Sequence, residues 1–203
     1  MSNTKADRAA EKLLVERALT GEGSALRELI DLHKDRLFSF IWRMVRDHHD
    51  AEDICQDAFL KAFASLKSFN SDYRFSTWLF TIAYRVCLNK MRRKRALTGD
   101  VDFTTLPMAS LGVPETVMRS EDAEQVRSLV WDAVEKLTPP QRACVLLFYR
   151  HEMSCQELSR VVQLPLATVK SHLHRARAKL REMLEPLTEK DLQVFRNLSV
   201  KAG

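Results

Sequence analysis

The side chains best suited to chemistry lie within residues 168–184, and the chemistry they suit is recognition of duplex DNA. Wound at about 100° per residue, this stretch gathers Val169, Leu173, Ala176, Leu180, Met183 and Leu184 into one apolar stripe. Opposite them lie Ser171, His174, Arg175 and Ala178, small or hydrogen-bonding groups suited to base edges. Lys170, Arg177 and Arg181 flank one side, with Thr168, His172 and Lys179 on the other, so phosphates can be gripped from both. A helix seated in the major groove needs both sets, because phosphate contacts position it and base contacts specify the site. A core helix with a solvated basic face would have the same composition, so the preceding element decides between the two.

That element is a second, shorter helix. Ser154-Cys155-Gln156-Glu157 is a capping-box pattern, in which the serine hydroxyl caps a backbone N–H and the glutamate reaches back. Leu158, Val161 and Val162 supply its apolar stripe. Gln163-Leu164-Pro165 then breaks the helix, and Pro165 suits the first position of the next one, which runs to about Leu184 because Pro186 cannot continue it. The pair reads as a helix-turn-helix.

A second nucleic-acid signal lies between Lys67 and Arg95. The loop Lys67 to Phe75 carries Phe69, Tyr73 and Phe75 beside Lys67 and Arg74. Ring faces and cations together are what unstacked bases and their backbone require. Two of the three rings are expected in the core. The helix from Ser76 is expected to bury Trp78, Leu79, Ile82, Ala83 and Val86 and to show Thr81, Tyr84, Arg85, Leu88, Asn89 and Arg92 on its other face. It ends in a basic run, Lys90, Arg92, Arg93, Lys94 and Arg95.

Ahead of that loop, Ala51 to Leu66 forms an amphipathic helix. Ile54, Ala58, Phe59, Ala62, Phe63 and Leu66 share one half of the wheel; Asp53, Gln56, Asp57, Leu60 and Ala64 share the other. Leu60 is then an apolar residue ringed by carboxylates and an amide, a pattern that fits docking to a basic protein surface. A solitary surface leucine is the alternative.

Punctuation divides the 203 residues. From Ser24 to Thr98 there is neither glycine nor proline, as in an unbroken run of helices. Gly99, Pro107, Gly112 and Pro114 follow, among Asp100, Asp102 and Glu115 and no basic residue as far as Glu115. Helical periodicity resumes near Ser120, and Thr138-Pro139-Pro140 starts a new helix with Thr138 as its cap. The fold class expected is all-α: a helical domain over 10–95, an acidic flexible linker over 96–119, a helix-turn-helix domain over 120–186 and a tail over 187–203. The formal net charge is +5, from 32 Lys+Arg against 27 Asp+Glu, and the excess is concentrated in the two basic stretches.

No apolar stretch approaches the roughly 20 residues needed to cross a bilayer, and the charged stretch Met1 to Arg17 is unlike a signal peptide. Four unpaired-looking cysteines (Cys55, Cys87, Cys144, Cys155) fit a reduced, cytoplasmic protein. Cys144, His151 and Cys155 match no common ligand spacing, so no metal or cofactor is expected. Nor is there a nucleophile–base arrangement or a phosphate-binding glycine loop, which argues against an enzyme.

Taken together these residues resemble the sigma-70 family of bacterial RNA polymerase, in its extracytoplasmic-function (group 4) form. The resemblance rests on Ala51-Glu52-Asp53-Ile54-Cys55-Gln56-Asp57-Ala58-Phe59-Leu60-Lys61-Ala62, on Phe75-Ser76-Thr77-Trp78-Leu79-Phe80-Thr81-Ile82-Ala83, on Leu137-Thr138-Pro139-Pro140-Gln141-Arg142 and on Thr168 to Arg177. It implies that Asp53, Gln56, Asp57 and Leu60 dock on the β′ clamp of core RNA polymerase, with the β flap as a further contact. It implies that Tyr73, Arg74, Trp78, Tyr84, Arg85, Asn89, Arg92 and Arg93 recognise and melt the −10 element, capturing a flipped base. Expelled bases recaptured on protein offset an unpairing cost of a few kcal/mol. Thr168, Lys170, Ser171, His172, His174, Arg175 and Arg177 would read the −35 element as duplex. The acidic linker would occupy the RNA channel until growing RNA displaces it, and an anti-sigma factor would hold the protein in check, in a stress response. Three positions depart from the family: Arg85 stands where relatives often have Asn, and His172 and His174 stand where Arg and an aromatic are common.

Two other readings make different demands. A sigma-mimicking decoy that only titrates an anti-sigma factor has little use for the 90–95 run or for Ser171, His174 and Arg175, and transcription from a cognate promoter excludes it. A one-component helix-turn-helix repressor would bind its operator tightly without polymerase.

Overall fold

The computed structural model describes residues 4–98 and 121–185. The acidic segment beyond Thr98 and the tail 187–203 lie outside the described residues. Residues 96–98, expected at the start of the linker, instead continue a helix.

Four helices form the first domain: α1 (Thr4–Leu19), α2 (Gly23–Val45), α3 (His48–Ala64) and α4 (Phe75–Thr98). Gly21, at φ 91, turns α1 into α2. The α3 helix starts three residues before the expected Ala51, because the Asp47 carboxylate accepts the Asp50 N–H at 2.9 Å and caps it there. Apolar periodicity begins only at Ala51, so the cap was the sole signal for the true start. At the other end Ser65 closes α3, and Leu66–Ser68 forms a short 3-10 turn. Leu29, Leu37, Phe40, Ile41 and Met44 of α2 meet Ile54 and Ala58 of α3 and Phe75, Leu79 and Phe80 of α4 in one buried core.

The second domain contains α5 (Glu121–Glu135), α6 (Pro139–Val145), a π-helical turn (Leu146–Arg150), α7 (Cys155–Val162) and α8 (Leu166–Leu184). Thr138 caps α6 as expected, and its N–H donates to Gln141 Oε1 at 3.3 Å. The Ser154 capping box is also present: Glu157 N–H donates to Ser154 Oγ at 3.3 Å, and Ser154 N–H to Glu157 Oε2 at 2.9 Å. Ser154→Ala is expected to cost about 1 kcal/mol and lower the thermal midpoint by about 2–4 °C, measured by circular dichroism. Gln163 then takes the left-handed conformation, φ 56, that ends α7, and Leu164 N–H reaches back to Ser159 O at 3.2 Å. Pro165 caps α8 from outside; it is not the first helical residue.

The two domains meet, where the sequence predicts separate units on a tether. Buried residues of α2, α3 and α4 run without a break into those of α6, α7 and α8. Polar groups stitch the seam along its length. Arg36 donates to His151 O and Arg142 Nη1 to Met44 O, both at 3.1 Å, and Arg150 Nε to Ser39 Oγ at 3.1 Å. Arg46 pairs with Glu135, and the Arg43 guanidinium lies over Trp131, 3.3 Å from the ring centroid.

The His151 ring is wedged between Phe40 and Phe80, with centroids 6.1 and 4.9 Å away. Burial first, then the charges of Arg36, Arg150 and Arg43, lowers its pKa from 6.5 to about 3. Between those values only a chain with His151 in water takes up the proton, so stability is complete above pH 6.5 and falls as the pH drops below it. The expected loss is about 1 kcal/mol between pH 6.5 and 5.5. Thermal midpoints across that interval check this, and His151→Leu should flatten the slope.

Candidate nucleic-acid interface

On α8 the structure sorts the side chains as helical winding predicts. Val169, Leu173 and Ala176 are buried, while Lys170, Ser171, His174, Arg175 and Ala178 are exposed. Leu180, Met183 and Leu184, expected in the core stripe, are only half-buried. Thr168 and His172 are half-buried at the rim. The His172 pKa is lowered, by burial first and then by the charge of Arg175, so its imidazole is held neutral and able both to donate and to accept.

The cations flanking that face differ in freedom. Arg177 Nε donates to the Tyr149 hydroxyl at 2.7 Å, and its guanidinium lies over Phe148 and Tyr149. Lys179 Nζ donates to Lys136 O at 2.8 Å. Lys170 and Arg175 make no hydrogen bond or ion pair among the described residues. The α8 face thus offers a polar centre, Ser171 and His174, with exposed cations beside it and an anchored one at the edge.

The loop before α4 is built on an acid that sequence reasoning overlooks. Glu11, buried in α1, accepts the Phe75 N–H at 3.2 Å and lies 3.1 Å from His33 Nε2. Burial pushes its carboxyl up, but the hydrogen bond and charge of His33, the charge of Arg74 and the Phe75 amide together hold it below the ordinary value. A charged Glu11 therefore fixes where α4 begins and keeps Arg74 close. Nothing in the spacing of α1 singles it out, since its partners are over 20 and over 60 positions away in the chain. Phe69 and Phe75 pack against each other and against Trp78, with centroids 5.3–5.7 Å apart. Two of the three loop rings are thus core, and Tyr73 remains 42% exposed.

On α4 the exposed-face reading needs correction. Arg85, Asn89, Arg92 and Arg93 are exposed, but Tyr84 is only 3% exposed and Trp78 is half-buried. The second domain covers Tyr84. Burial first, with the neighbouring Cys144 and Cys87 thiols, raises its phenol to about 12. Helical winding places Tyr84 away from the first domain's own core, but it cannot report that another domain packs there.

The basic run is also partly spent. Lys90 Nζ lies 2.8 Å from Asp50, and Lys94 lies 3.6 Å from Asp50 and 3.9 Å from Asp47, so both sit over the N-terminus of α3. Arg92 donates to Asn89 at 3.1 Å.

On α3, Leu60 is 69% exposed. Asp53 and Gln56 beside it are exposed, and Asp57 is half-buried and paired with Lys61. Three of the four thiols are made poor nucleophiles by burial. Burial raises Cys55 to about 11 and, as the largest cause, Cys87 and Cys144 to about 12. No cluster of three or more potential metal ligands occurs among the described residues.

Known proteins share this arrangement. The family model for Sigma-70 region 2 matches residues 29–97, and that for Sigma-70, region 4 matches residues 127–180. The chain is 32% identical over 183 residues to the ECF RNA polymerase sigma factor SigW of Bacillus subtilis, covering 87% of this chain and 97% of that protein. It is 28% identical over 190 residues to the ECF RNA polymerase sigma-E factor of Escherichia coli K12, covering 89% and 97%. Among solved structures, CnrH in complex with the cytosolic domain of CnrY superposes with a TM-score of 0.65 at 25% identity, over 88% of this chain and 99% of that one. The sigma factor RpoE of Bartonella quintana, solved with the anti-sigma factor NepR, shares the fold at a TM-score of 0.64 and 24% identity, over 80% and 98%.

The chain belongs to the extracytoplasmic-function group of the sigma-70 family of RNA polymerase sigma factors. It is an alternative sigma factor, a transcription initiation factor and not an enzyme, and its partners are core RNA polymerase and promoter DNA. No described helix is long and apolar enough to cross a membrane.

Proposed function

We propose that the division of labour within this sigma factor follows three surfaces. The α8 helix lies in the major groove of the −35 element. There Ser171, His172, His174 and Arg175 meet base edges, and Thr168, Lys170 and Arg177 hold phosphates. Tyr73, Arg74, Arg85, Asn89, Arg92 and Arg93 receive the non-template strand of the −10 element as it opens, with Trp78 and Tyr84 supporting that surface from behind. Asp53, Gln56, Asp57 and Leu60 dock on the β′ clamp, and the second domain engages the β flap. The domains span 10–95 and 120–186, with the acidic segment between them threading the RNA channel.

The exposed polar face of α8, opposite a buried stripe on a capped helix-turn-helix, carries this reading. Its chemistry suits duplex DNA, and neither Lys170 nor Arg175 is held by a hydrogen bond or ion pair among the described residues. Regulation is by an anti-sigma factor, as the solved complex of RpoE with the anti-sigma factor NepR illustrates for that protein. The site of action is the cytoplasm, and the setting is a stress response. Co-purification with core polymerase, followed by run-off transcription on genomic fragments, tests the whole. Retention of core and a shared sequence upstream of the opened region are expected. Absence of core binding overturns the reading, and tight operator binding without polymerase favours a repressor.

A further inference from the structure

Lys61, Lys90 and Arg46 are anchored by Asp57, Asp50 and Glu135, carboxylates that cancel their charge. Arg177 is held in another way. Its Nε donates to the Tyr149 hydroxyl at 2.7 Å, and its guanidinium lies 5.5 and 5.6 Å from the ring centroids of Phe148 and Tyr149. A phenol oxygen and two ring faces fix the direction of a guanidinium but leave its positive charge whole. With Nε occupied, the Nη fork of Arg177 donates to nothing among the described residues. A planar fork of set direction and uncancelled charge is what bidentate binding of a phosphate requires.

The chain delivers Tyr149 to α8 from the π-helical turn Leu146–Arg150, which His151 N–H closes on Leu146 O at 3.3 Å. Leu146 and Leu147 are buried there, while Tyr149 is 56% exposed. Turns of this kind are rare and recur at functional sites. Contacts between exposed groups add little to folding, so an exposed tyrosine held against an exposed arginine points to what the arginine binds. Arg177 shares its edge of α8 with Lys170, two turns and about 10 Å along the axis.

We infer that Tyr149 is a positioning residue of the −35 grip: its hydroxyl holds Arg177 so that the Nη fork meets a DNA phosphate beside the base-reading face of α8. The inference rests on the assignment of α8 to duplex DNA. Arg177 then meets the phosphate with its rotamer already chosen, and loses less side-chain freedom on the DNA than Lys170, which is unanchored. Tyr149 reads no base, so it strengthens every site alike.

The test uses the full chain and a fluorescein-labelled DNA duplex of randomised sequence, read by anisotropy over a series of KCl concentrations. Tyr149→Phe removes one oxygen, keeps the ring beside Phe148 and leaves the net charge unchanged. Arg177→Gln keeps a long stem with a donor toward Tyr149 and removes the charge. Arg177→Gln is expected to reduce the slope of log affinity against log salt by about 1. Tyr149→Phe is expected to weaken binding about three- to tenfold in the wild-type background. On top of Arg177→Gln it should cost less than about twofold. Net charge alone predicts no effect of Tyr149→Phe in either background.

Binding as tight as wild type in Tyr149→Phe overturns the inference, as do equal losses in the two backgrounds. A thermal midpoint lowered by many degrees in Tyr149→Phe assigns the residue to the fold and overturns it too. Lys170→Ala combined with Arg175→Ala separates the two readings. If duplex binding survives that pair unchanged, α8 is not the duplex surface and both readings fall. If the pair weakens binding and Tyr149→Phe does not, the assignment of α8 stands and the role of Tyr149 alone falls.

Discussion

Leu60→Asp is expected to weaken binding to core RNA polymerase by about 2 kcal/mol, roughly 30-fold in Kd, without unfolding the protein. Leu60 is 69% exposed, so the fold itself gains little from its apolar side chain. Docking would move that side chain from water to the centre of an interface. A carboxylate there has to be desolvated where the wild-type chain buries an apolar side chain. Competition for core polymerase against a labelled wild-type chain measures the loss, and thermal denaturation of the free variant provides the control. A midpoint lowered by many degrees would mean that Leu60 supports the core. Unchanged competition with an unchanged midpoint would remove α3 from the docking surface.

Arg175→Ala is expected to reduce transcription from promoters that depend on their −35 element by about 1–3 kcal/mol, a factor of roughly 5 to 150. Arg175 is exposed and makes no hydrogen bond among the described residues, so its loss leaves the domain's packing intact. A base-reading arginine owes its discrimination to two parallel N–H donors, which lysine lacks. Arg175→Lys therefore separates two roles. Recovery of activity with lost selectivity identifies a base contact, whereas full recovery identifies a phosphate contact. Run-off transcription on a set of −35 variants reads both. Arg177→Ala belongs to a different class, because its guanidinium is hydrogen-bonded to Tyr149 and stacked on two rings, and its removal disturbs the positioning of α8 as well as the charge.

Much of the α8 face was legible because it depends on one helix alone. A period of 3.6 residues and a buried stripe dictate which groups emerge on the opposite side, and the Ser154 capping box and the break at Gln163 announce the turn before it. Exposure of Leu60 followed in the same way from α3. Boundaries were less secure where a cap outweighs periodicity, as Asp47 does at the start of α3. Glu11 was invisible to local reading because its significance is the company of His33, Arg74 and Phe75, brought together from three separate elements.

By itself the sequence determined the all-helical class, the helix-turn-helix and the side chains that α8 exposes, since these are consequences of helical winding and capping within short segments. Tertiary structure alone decided that the domains lie against each other, that Tyr84 is covered, that Lys90 and Lys94 are turned toward Asp47 and Asp50, and that α7 meets Tyr73, Thr77 and Arg85. Such contacts join residues as many as 115 positions apart, and they are selected by the shape and burial of whole surfaces, which no local pattern encodes.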